Sequence, residues 1–205
     1  STIDIIDPRD RLENKSEICV KPKNTQEISK ILKLANKFTI PIIPIGGSTG
    51  LVGGQIASQS NHVTLSLEKL NTINFYKDSN LLYVQSGAIL SKIKKLAFNN
   101  GRLFPLSLAS EGSCQIGGNL ATNAGGLNVI KYGNVRDLCL GLEAVLPCGQ
   151  IVSTMKPLKK NNMGFDLKNL LIGSEGTLGI ITSTILKTFP IPEDPISIFL
   201  SINNL

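Results

Sequence analysis

The sequence predicts an α+β fold made of two α+β lobes, of which the second is mainly antiparallel. The first 70 residues carry a strand, helix, strand pattern, whereas the later residues carry strands joined by short turns. A doubly wound parallel sheet is disfavoured because the second half lacks alternating helices. We therefore place the first lobe at residues 1–70, the second lobe at 71–190, and a linker with the start of a further domain at 191–205.

The first lobe begins with two strands that flank an amphipathic helix. The segments "ICVK" (18–21) and "PIIPI" (41–45) are typical of short strands. Between them, residues 24–38 predict a helix, because Asn24 can cap it and Glu27 can complete a capping box. Its apolar stripe consists of Ile28, Ile31, Leu32, Ala35 and Phe38.

Strand patterns continue beyond this helix. The segment "HVTLSLEKL" (62–70) alternates apolar and polar residues, which predicts a half-buried strand. "INFYKD" and "LLYVQSG" follow as two strands joined by a turn at residues 78–80. Residues 88–100 then predict a second amphipathic helix that ends at Gly101.

The remaining elements are a long loop, a hairpin and a last strand. Residues 105–134 are almost free of charge and rich in Gly, Ser, Thr and Asn, so we expect a long structured loop of the kind that often holds ligands. Residues 137–154 predict a hairpin that turns at 147–149, and residues 177–189 predict a long strand.

Composition narrows the function classes. The net charge is +6, but the lysines are scattered and no aromatic and basic residues cluster, which disfavours nucleic acid as a partner. The four cysteines form no C-x-x-C pair and His62 is the single histidine, so no metal site is expected. We find no apolar run long enough to span a bilayer and no secretory n-region, and we expect a cytoplasmic protein.

The five glycines of "PIGGSTGLVGG" (44–54) call for a structural explanation, because ordering glycine in a folded element costs conformational entropy. Consecutive backbone N–H groups in such a loop can form an anion-binding nest, to which Ser48 and Thr49 add hydroxyl donors. A Walker loop is excluded because no G-K-[ST] follows, and the Rossmann spacing is absent as well. Taken alone, the loop is equally consistent with a glycine-rich turn between strands.

Two further segments favour a ligand. The region 105–134 offers Gly117 and Gly118 among polar side chains, and "IGSEGTLGII" (172–181) is another glycine-rich loop that enters a strand. Three such loops point to one large, multiply anionic and partly aromatic ligand. This interpretation requires that Gly46, Gly117 and Gly176 face a common cleft.

These residues resemble a known family. "PIGGSTGLVGG", "LASEGSCQIGGNLATNAGG" followed by "YGN", and "IGSEGTLGIIT" are similar to the FAD-binding (PCMH-type) domain of the vanillyl-alcohol oxidase flavoproteins. The resemblance is to the branch of D-lactate, glycolate and D-2-hydroxyglutarate dehydrogenases. It covers nearly the whole chain in the right order. It implies that FAD lies between the two α+β lobes.

The resemblance also implies roles by position. The FAD pyrophosphate would be wrapped by Pro44, Ile45, Gly46, Gly47, Ser48, Thr49, Gly50 and Leu51. The phosphates and flavin ring would be lined by Ala109, Ser110, Glu111, Gly112, Ser113, Cys114, Gln115, Gly117, Gly118, Thr122, Asn123, Ala124 and Gly125. The adenosine end would be approached by Glu175, Gly176, Thr177, Gly179, Ile180 and Ile181, and the isoalloxazine by Pro105 and Leu106.

Some family members bind flavin covalently through His or Cys. Here the first loop has Ser48 and Thr49 at the relevant turn, and His62 and Cys114 are weak alternatives, so we expect non-covalent, dissociable FAD. The chain departs from its relatives in "KKNNMGFDLK", where Asn161, Met163 and Phe165 lack a carboxylate and two hydroxyls, and at Ser48, where Asn is usual.

The implied reaction is oxidation of a small D-2-hydroxy acid to the 2-oxo acid. It needs a base and cations for the substrate carboxylate, and the sequence offers no such constellation, so no catalytic residue is assigned. In the family these groups lie in a C-terminal cap domain, so we expect a cofactor portion that binds FAD weakly or not at all by itself. The alternative is a non-catalytic FAD-binding or assembly subunit that needs a second chain. The family's UDP-sugar reductase branch fits the middle motif less well.

Overall fold

The polypeptide forms a small parallel sheet first and a larger antiparallel sheet afterwards. A computed structural model describes residues 7–156, 158, 164–193, 196 and 198–201. The strands in these residues are β1 (Ile18–Val20), β2 (Ile42–Ile45), β3 (Val63–Ser66), β4 (Ile73–Tyr76), β5 (Leu81–Gln85), β6 (Arg102–Leu103), β7 (Cys139–Val145), β8 (Ile151–Ser153), β9 (Ile180–Lys187) and β10 (Phe189–Pro190). The helices are α1 (Thr25–Lys37), α2 (Leu90–Asn99), α3 (Ile116–Ala121), α4 (Val129–Tyr132), α5 (Val135–Leu138) and α6 (Leu167–Leu171). The α+β prediction is confirmed.

The parallel sheet has three strands in the order β1-β3-β2. Its middle strand is covered on both faces, since Thr64, Leu65 and Ser66 are all nearly inaccessible to solvent. The strand predicted within residues 62–70 is therefore confirmed as β3, but the expectation that it is half-buried was wrong. Alternation of polar and apolar residues indicates one solvated face only when no other part of the protein covers the polar face. In β3 the polar face is covered as well.

Helix α1 confirms its predicted cap but not its capping box. The Asn24 side chain accepts a hydrogen bond from the Glu27 N–H over 2.9 Å. The Glu27 carboxylate, however, accepts from the N–H of Lys23, one residue before the cap. Phe38, predicted to belong to the apolar stripe, is 60% exposed, because it lies beyond the last helical turn as the C-cap residue.

The antiparallel sheet has five strands in the order β4-β5-β9-β7-β8. Both predicted turns are confirmed. Asn80 ends the first with φ 55°, and Gly149 ends the second with φ 80°, a conformation that glycine adopts without strain. Gly101 likewise follows α2 with φ 70°.

The segment 105–134 is more regular than predicted, because α3 and α4 lie within it. Glycine disfavours a helix, yet "IGGNLA" forms α3, whose Ile116 and Leu120 are fully buried in the main core. The N–H of Gly117 donates to the Ser86 carbonyl over 2.8 Å. A side chain at Gly117 would clash with Ser86, so tertiary packing explains this glycine.

Two cores hold the sheets together and bring the glycine-rich loops to one region. The main core lies between the five-stranded sheet and helices α2, α3 and α5. A second core joins α1 to β3 and to the ends of β7 and β9, through residues that include Leu65, Val145 and Ile180. The sheets use residues 18–66 and 73–187, while the division into lobes at residue 70 stays a prediction.

Candidate functional site

The first glycine-rich loop leaves β2 and presents a run of free amides. Among the described residues, no backbone carbonyl accepts a hydrogen bond from the N–H groups of residues 47–55. Arg11 supports the loop from outside, since its guanidinium donates to the Leu51 carbonyl over 2.6 Å. Free, fixed N–H groups of this kind can bind an anion.

The first loop packs directly on residues 105–134, which we call the middle segment. A Cβ atom at Gly47 would overlap the Ser113 carbonyl oxygen, and one at Gly46 would lie 3.5 Å from the Gln115 side chain. The middle segment is fixed in turn by α2, because Lys94 pairs with Glu111 over 2.5 Å and the N–H of Ser91 donates to the Glu111 carbonyl.

The third glycine-rich loop, residues 172–181, is attached to the end of α3. The N–H of Glu175 donates to the Ala121 carbonyl over 2.8 Å, and the N–H of Gly173 donates to the Leu120 carbonyl over 3.1 Å. Gly176, at φ 81°, lies close to the ring of Pro44 at the end of β2. The third loop therefore touches both the middle segment and the strand that precedes the first loop.

The three loops also share a feature of backbone conformation. Ser48, Asn123 and Glu175 each have φ between 48° and 53°, a region that residues other than glycine rarely adopt. One such residue lies in each loop. Conformations of this kind persist where the surrounding structure imposes them, and they cluster at ligand-binding sites.

The loops enclose one cleft of about 270 Å³. Of the predicted residues, it is lined by Pro44, Ile45, Gly46, Gly47, Ser48, Thr49, Gly50, Ser110, Cys114, Gln115, Gly118, Thr122, Ala124 and Glu175. An adjoining space of about 60 Å³ shares part of this lining and adds Gly117, Gly176, Gly179, Ile180 and Ile181. Gly46, Gly117 and Gly176 thus face a common space, as the interpretation of the loops required.

Ten predicted residues do not line these two spaces: Leu51, Pro105, Leu106, Ala109, Glu111, Gly112, Ser113, Asn123, Gly125 and Thr177. Pro105 and Leu106 are buried, Leu106 in the main core, and Leu108 contributes the apolar contact to the cleft instead. Of the departures from related sequences, Phe165 is almost fully exposed, whereas Asn161 and Met163 lie outside the described residues.

Sequence reasoning missed six residues that line the cleft: Val52, Gly54, Gln55, Leu108, Asn119 and Ala121. Val52 and Gly54 belong to the first glycine-rich motif, so the motif itself could have predicted that they line the cleft. Asn119 had a weaker signal, because a single amide inside a helix does not reveal which way it points.

Two side chains that line the cleft each carry a buried oxygen without a partner. The side-chain oxygens Oε1 of Gln115 and Oδ1 of Asn119 are buried and accept no hydrogen bond from the described residues. Gly118 lies between them in sequence, and a Cβ atom there would meet no protein atom within 4 Å. The cleft therefore offers free donors at the first loop and room beside Gly118.

The cleft holds few charged groups. Within the described part of the chain, only Cys114 and Glu175 among its lining residues have titratable side chains. No group of three or more His, Cys, Asp or Glu residues in that part of the chain could hold a metal ion. No helix in residues 7–156 or in the later described stretches has the length and apolar character needed to cross a bilayer.

Comparison with known sequences identifies the domain. The family described as "FAD binding domain" matches residues 16–155. The chain is 41% identical over 179 residues to mitochondrial D-2-hydroxyglutarate dehydrogenase of Bos taurus, covering 87% of this chain and 33% of that protein. It is 42% identical over 190 residues to D-lactate dehydrogenase of Anaerostipes hadrus, covering 92% and 40%. The chain thus spans about a third of the length of such relatives.

Solved structures share the fold. An alkyldihydroxyacetonephosphate synthase superposes with a TM-score of 0.77 at 28% identity, over 89% of this chain and 33% of that one. A glucooligosaccharide oxidase of Acremonium strictum gives a TM-score of 0.78 at 20% identity, over 90% and 37%, which shows likeness of fold alone. The three loops, their common cleft and these matches agree, and the chain belongs to the FAD-binding domain family found in D-lactate and D-2-hydroxyglutarate dehydrogenases.

Proposed function

We propose that this chain is the FAD-binding portion of a flavin-dependent dehydrogenase that oxidises a small D-2-hydroxy acid to the 2-oxo acid. The observation that carries the proposal is the convergence of Gly46, Gly117 and Gly176 on one space. The relatives that are named for D-lactate and D-2-hydroxyglutarate support the substrate class.

The residues of the cleft fit the parts of FAD. The free N–H groups of the first loop suit the diphosphate, which carries only hydrogen-bond acceptors. The open space beside Gly118 lets a ligand approach the backbone closely. When bound, FAD supplies the acceptor for the hydride that leaves the substrate. The protein contributes binding and orientation.

The substrate-binding groups are proposed to come from outside these residues. Oxidation of a hydroxy acid needs a base for the hydroxyl proton and cations for the carboxylate. The cleft offers Glu175 and Cys114 and, among its described lining residues, no Lys, Arg or His. A cap domain or partner chain would complete the site, and the boundaries at residues 70 and 190 are part of the proposal.

The mode of binding and the location are proposals as well. FAD is held non-covalently, which is supported by the position of His62 at the start of β3, while the first loop follows β2 beyond the opposite end of that strand pair. A cytoplasmic location is supported by the free thiols of Cys19, Cys114, Cys139 and Cys148. Cell fractionation with an antibody to the chain tests the location.

FAD titration tests the proposed function. The expected result is saturable quenching of flavin fluorescence at one FAD per chain, with weak affinity and no turnover of D-lactate or D-2-hydroxyglutarate by this chain alone. A visible spectrum with resolved flavin peaks distinguishes a structured pocket from loose contact. Absence of saturation at ~1 mM FAD, an affinity worth only about 4 kcal/mol, would reject the proposal.

Exposed apolar residues favour a second candidate, an FAD-binding or assembly subunit that works with another chain. Leu127, just before α4, is 91% exposed, and Ile130, within α4, is 99% exposed. Large apolar side chains that are exposed to solvent often mark surfaces for contact with another protein. Stoichiometric FAD without any turnover, together with a dimer or larger species that Leu127→Ser and Ile130→Ser dissociate, would favour this candidate.

A further inference from the structure

A segment that precedes the matched family domain holds the residues that follow the first glycine-rich loop. The family match begins at residue 16. Residues 7–15, which we call the N-terminal strap, lie outside it. The N–H of Lys15 donates to the Ala57 carbonyl over 2.9 Å, and the Asn14 side chain accepts from the Ala57 N–H over 3.0 Å. Both backbone polar groups of Ala57, a fully buried residue, are thus bonded to the strap.

The strap also contacts the loop itself. Leu12 lies against Gly53, where a Cβ atom would overlap the Leu12 side chain. The Arg11 guanidinium donates to the Leu51 carbonyl over 2.6 Å. Among the described residues, no backbone carbonyl accepts a hydrogen bond from the N–H groups of residues 47–55. The loop therefore depends on side chains of the strap for part of its shape.

Arg11 is held in place by Asp7. The Asp7 side chain is fully buried, and its Oδ2 atom lies 3.8 Å from Nε of Arg11. The same oxygen accepts a hydrogen bond from the backbone N–H of Arg11 over 2.9 Å. A guanidinium that is restrained in this way loses less conformational entropy when it binds a further group. The strap thus presents Arg11 to the loop in a fixed orientation.

The contact with Arg11 sets the direction of one peptide group. The bond from Leu51 to Val52 is trans, so its N–H points opposite to its carbonyl. Because the carbonyl is directed at Arg11, the Val52 N–H is directed away from Arg11. Val52 lines the cleft, whereas Arg11 does not. A hydrogen bond from a cation also polarises the peptide group, which makes its N–H a stronger donor.

We propose, on the basis of the proposed FAD function, that the N-terminal strap positions the first glycine-rich loop for the FAD diphosphate and that Arg11 is the positioning residue. Arg11 acts through the peptide group between Leu51 and Val52 and does not itself contact the ligand. Affinity for the cofactor then depends on a segment outside the matched domain.

The test uses Arg11→Ala in the 205-residue chain, titrated with FAD by fluorescence quenching. Affinity is expected to fall about tenfold, because the Val52 N–H loses its fixed direction. Arg11→Lys keeps a charged donor and is expected to lose only about threefold. Without ligand, the melting temperature of either variant is expected to change by no more than about 2 °C, since the Arg11 side chain is half exposed.

Arg9→Ala is the matched control. Arg9 is exposed, and its side chain forms no hydrogen bond or ion pair with the described residues, so the variant removes the same charge without changing the contact to the loop. Its FAD affinity is expected to stay native. In ¹⁵N-labelled protein without FAD, the amide resonance of Val52 is expected to move in Arg11→Ala, to move less in Arg11→Lys, and to stay in place in Arg9→Ala.

The outcomes separate this inference from the proposed function. An equal loss of affinity in Arg11→Ala and Arg9→Ala would assign the effect to net charge and overturn the inference. Native-like FAD affinity in Arg11→Ala, while the wild type binds FAD, also overturns it and leaves the proposed function intact. If Arg11→Ala does not fold, the same comparison is made between Arg11→Gln and Arg9→Gln. Absence of FAD binding by the wild type rejects the proposed function and the inference with it.

Discussion

Gly47 lies so close to the carbonyl oxygen of Ser113 that a side chain at this position would overlap it. The contact joins the first glycine-rich loop to the middle segment through backbone on both sides. The φ of Gly47 is not in the left-handed region. Glycine is therefore needed at this position for lack of space and not for its backbone conformation. Glycines in this cleft therefore serve two separate needs, contact with protein and room for ligand.

Gly47→Ala tests the first need. The added methyl group meets backbone atoms that cannot rotate away, and overpacking of this kind costs about 1–3 kcal/mol of unfolding free energy. Urea unfolding of the protein without ligand measures the loss. Gly112→Ala is the control, because a Cβ atom there meets nothing within 4 Å. Equal stability of the two variants would contradict the contact.

Gly118→Ala tests the second need. Gly118 lies within α3 and its Cβ position is open, so alanine is expected to stabilise the protein without ligand by about 0.5–1 kcal/mol. The same methyl group projects into the cleft and is expected to weaken FAD binding about tenfold, or ~1.4 kcal/mol. Unfolding and flavin titration together measure both changes. Unchanged affinity would mean that FAD does not approach this backbone.

Asp7 predicts a dependence of stability on pH. The backbone N–H of Arg11 holds the pKa of Asp7 below its ordinary value, with help from the N–H of Arg9 and the charge of Arg11, although burial opposes the shift. Since the folded pKa is the lower one, Asp7 stabilises the fold above the unfolded value of about 3.9. That contribution disappears as the pH falls through the folded pKa.

Asp7→Asn is accordingly expected to destabilise the protein at pH 7. The difference from wild type should shrink as the solution becomes more acidic and vanish below the folded pKa of Asp7. Unfolding free energies measured from pH 7 downwards check this. Arg11 also holds Leu51 in the first loop, so the variant reports on support of that loop. A difference that stays constant with pH would assign the effect to packing alone.

Local signals in the sequence were sufficient for some elements. Asn24 caps α1 because a side-chain oxygen can satisfy a free N–H within the same turn, and Gly149 closes its hairpin because the turn needs a positive φ. Such features depend on neighbours in sequence. They fix where a helix or a hairpin begins and ends, whatever the rest of the protein does.

Other features depend on neighbours in space. Thr64 is buried because β3 is the middle strand of its sheet. The order of strands in a sheet cannot be predicted from the residue pattern of "HVTLSLEKL". Asn119 lines a cleft whose other walls include Gly46 and Glu175, residues that are far from it in sequence. The family resemblance located the three motifs, but which of their N–H groups stay free depends on how the chain folds.

Cysteine labelling tests the packing of the antiparallel sheet. Burial raises the pKa of the Cys139 thiol, although a contact with the Thr184 hydroxyl partly offsets this, so the reactive thiolate is suppressed. Cys148 is exposed at the β7–β8 turn. Iodoacetamide at pH 8 is expected to alkylate Cys148 in the folded protein and Cys139 only after unfolding. Mass spectrometry of peptides checks the sites, and equal rates at both would contradict the packing.

We expect FAD to be held without a covalent bond to the protein. His62 stands at the start of β3, beside Ile42 and Val63, whereas the first loop begins after Ile45 at the other end of the paired strands. Cys114 lines the cleft but is only 2% exposed and packs in the main core. Acid precipitation of the FAD-loaded protein is expected to leave all flavin in the supernatant, measured by its absorbance. Flavin that stays with the pellet of wild type but not of Cys114→Ser would identify a thioether, and the same result for His62→Ala would identify a histidyl link.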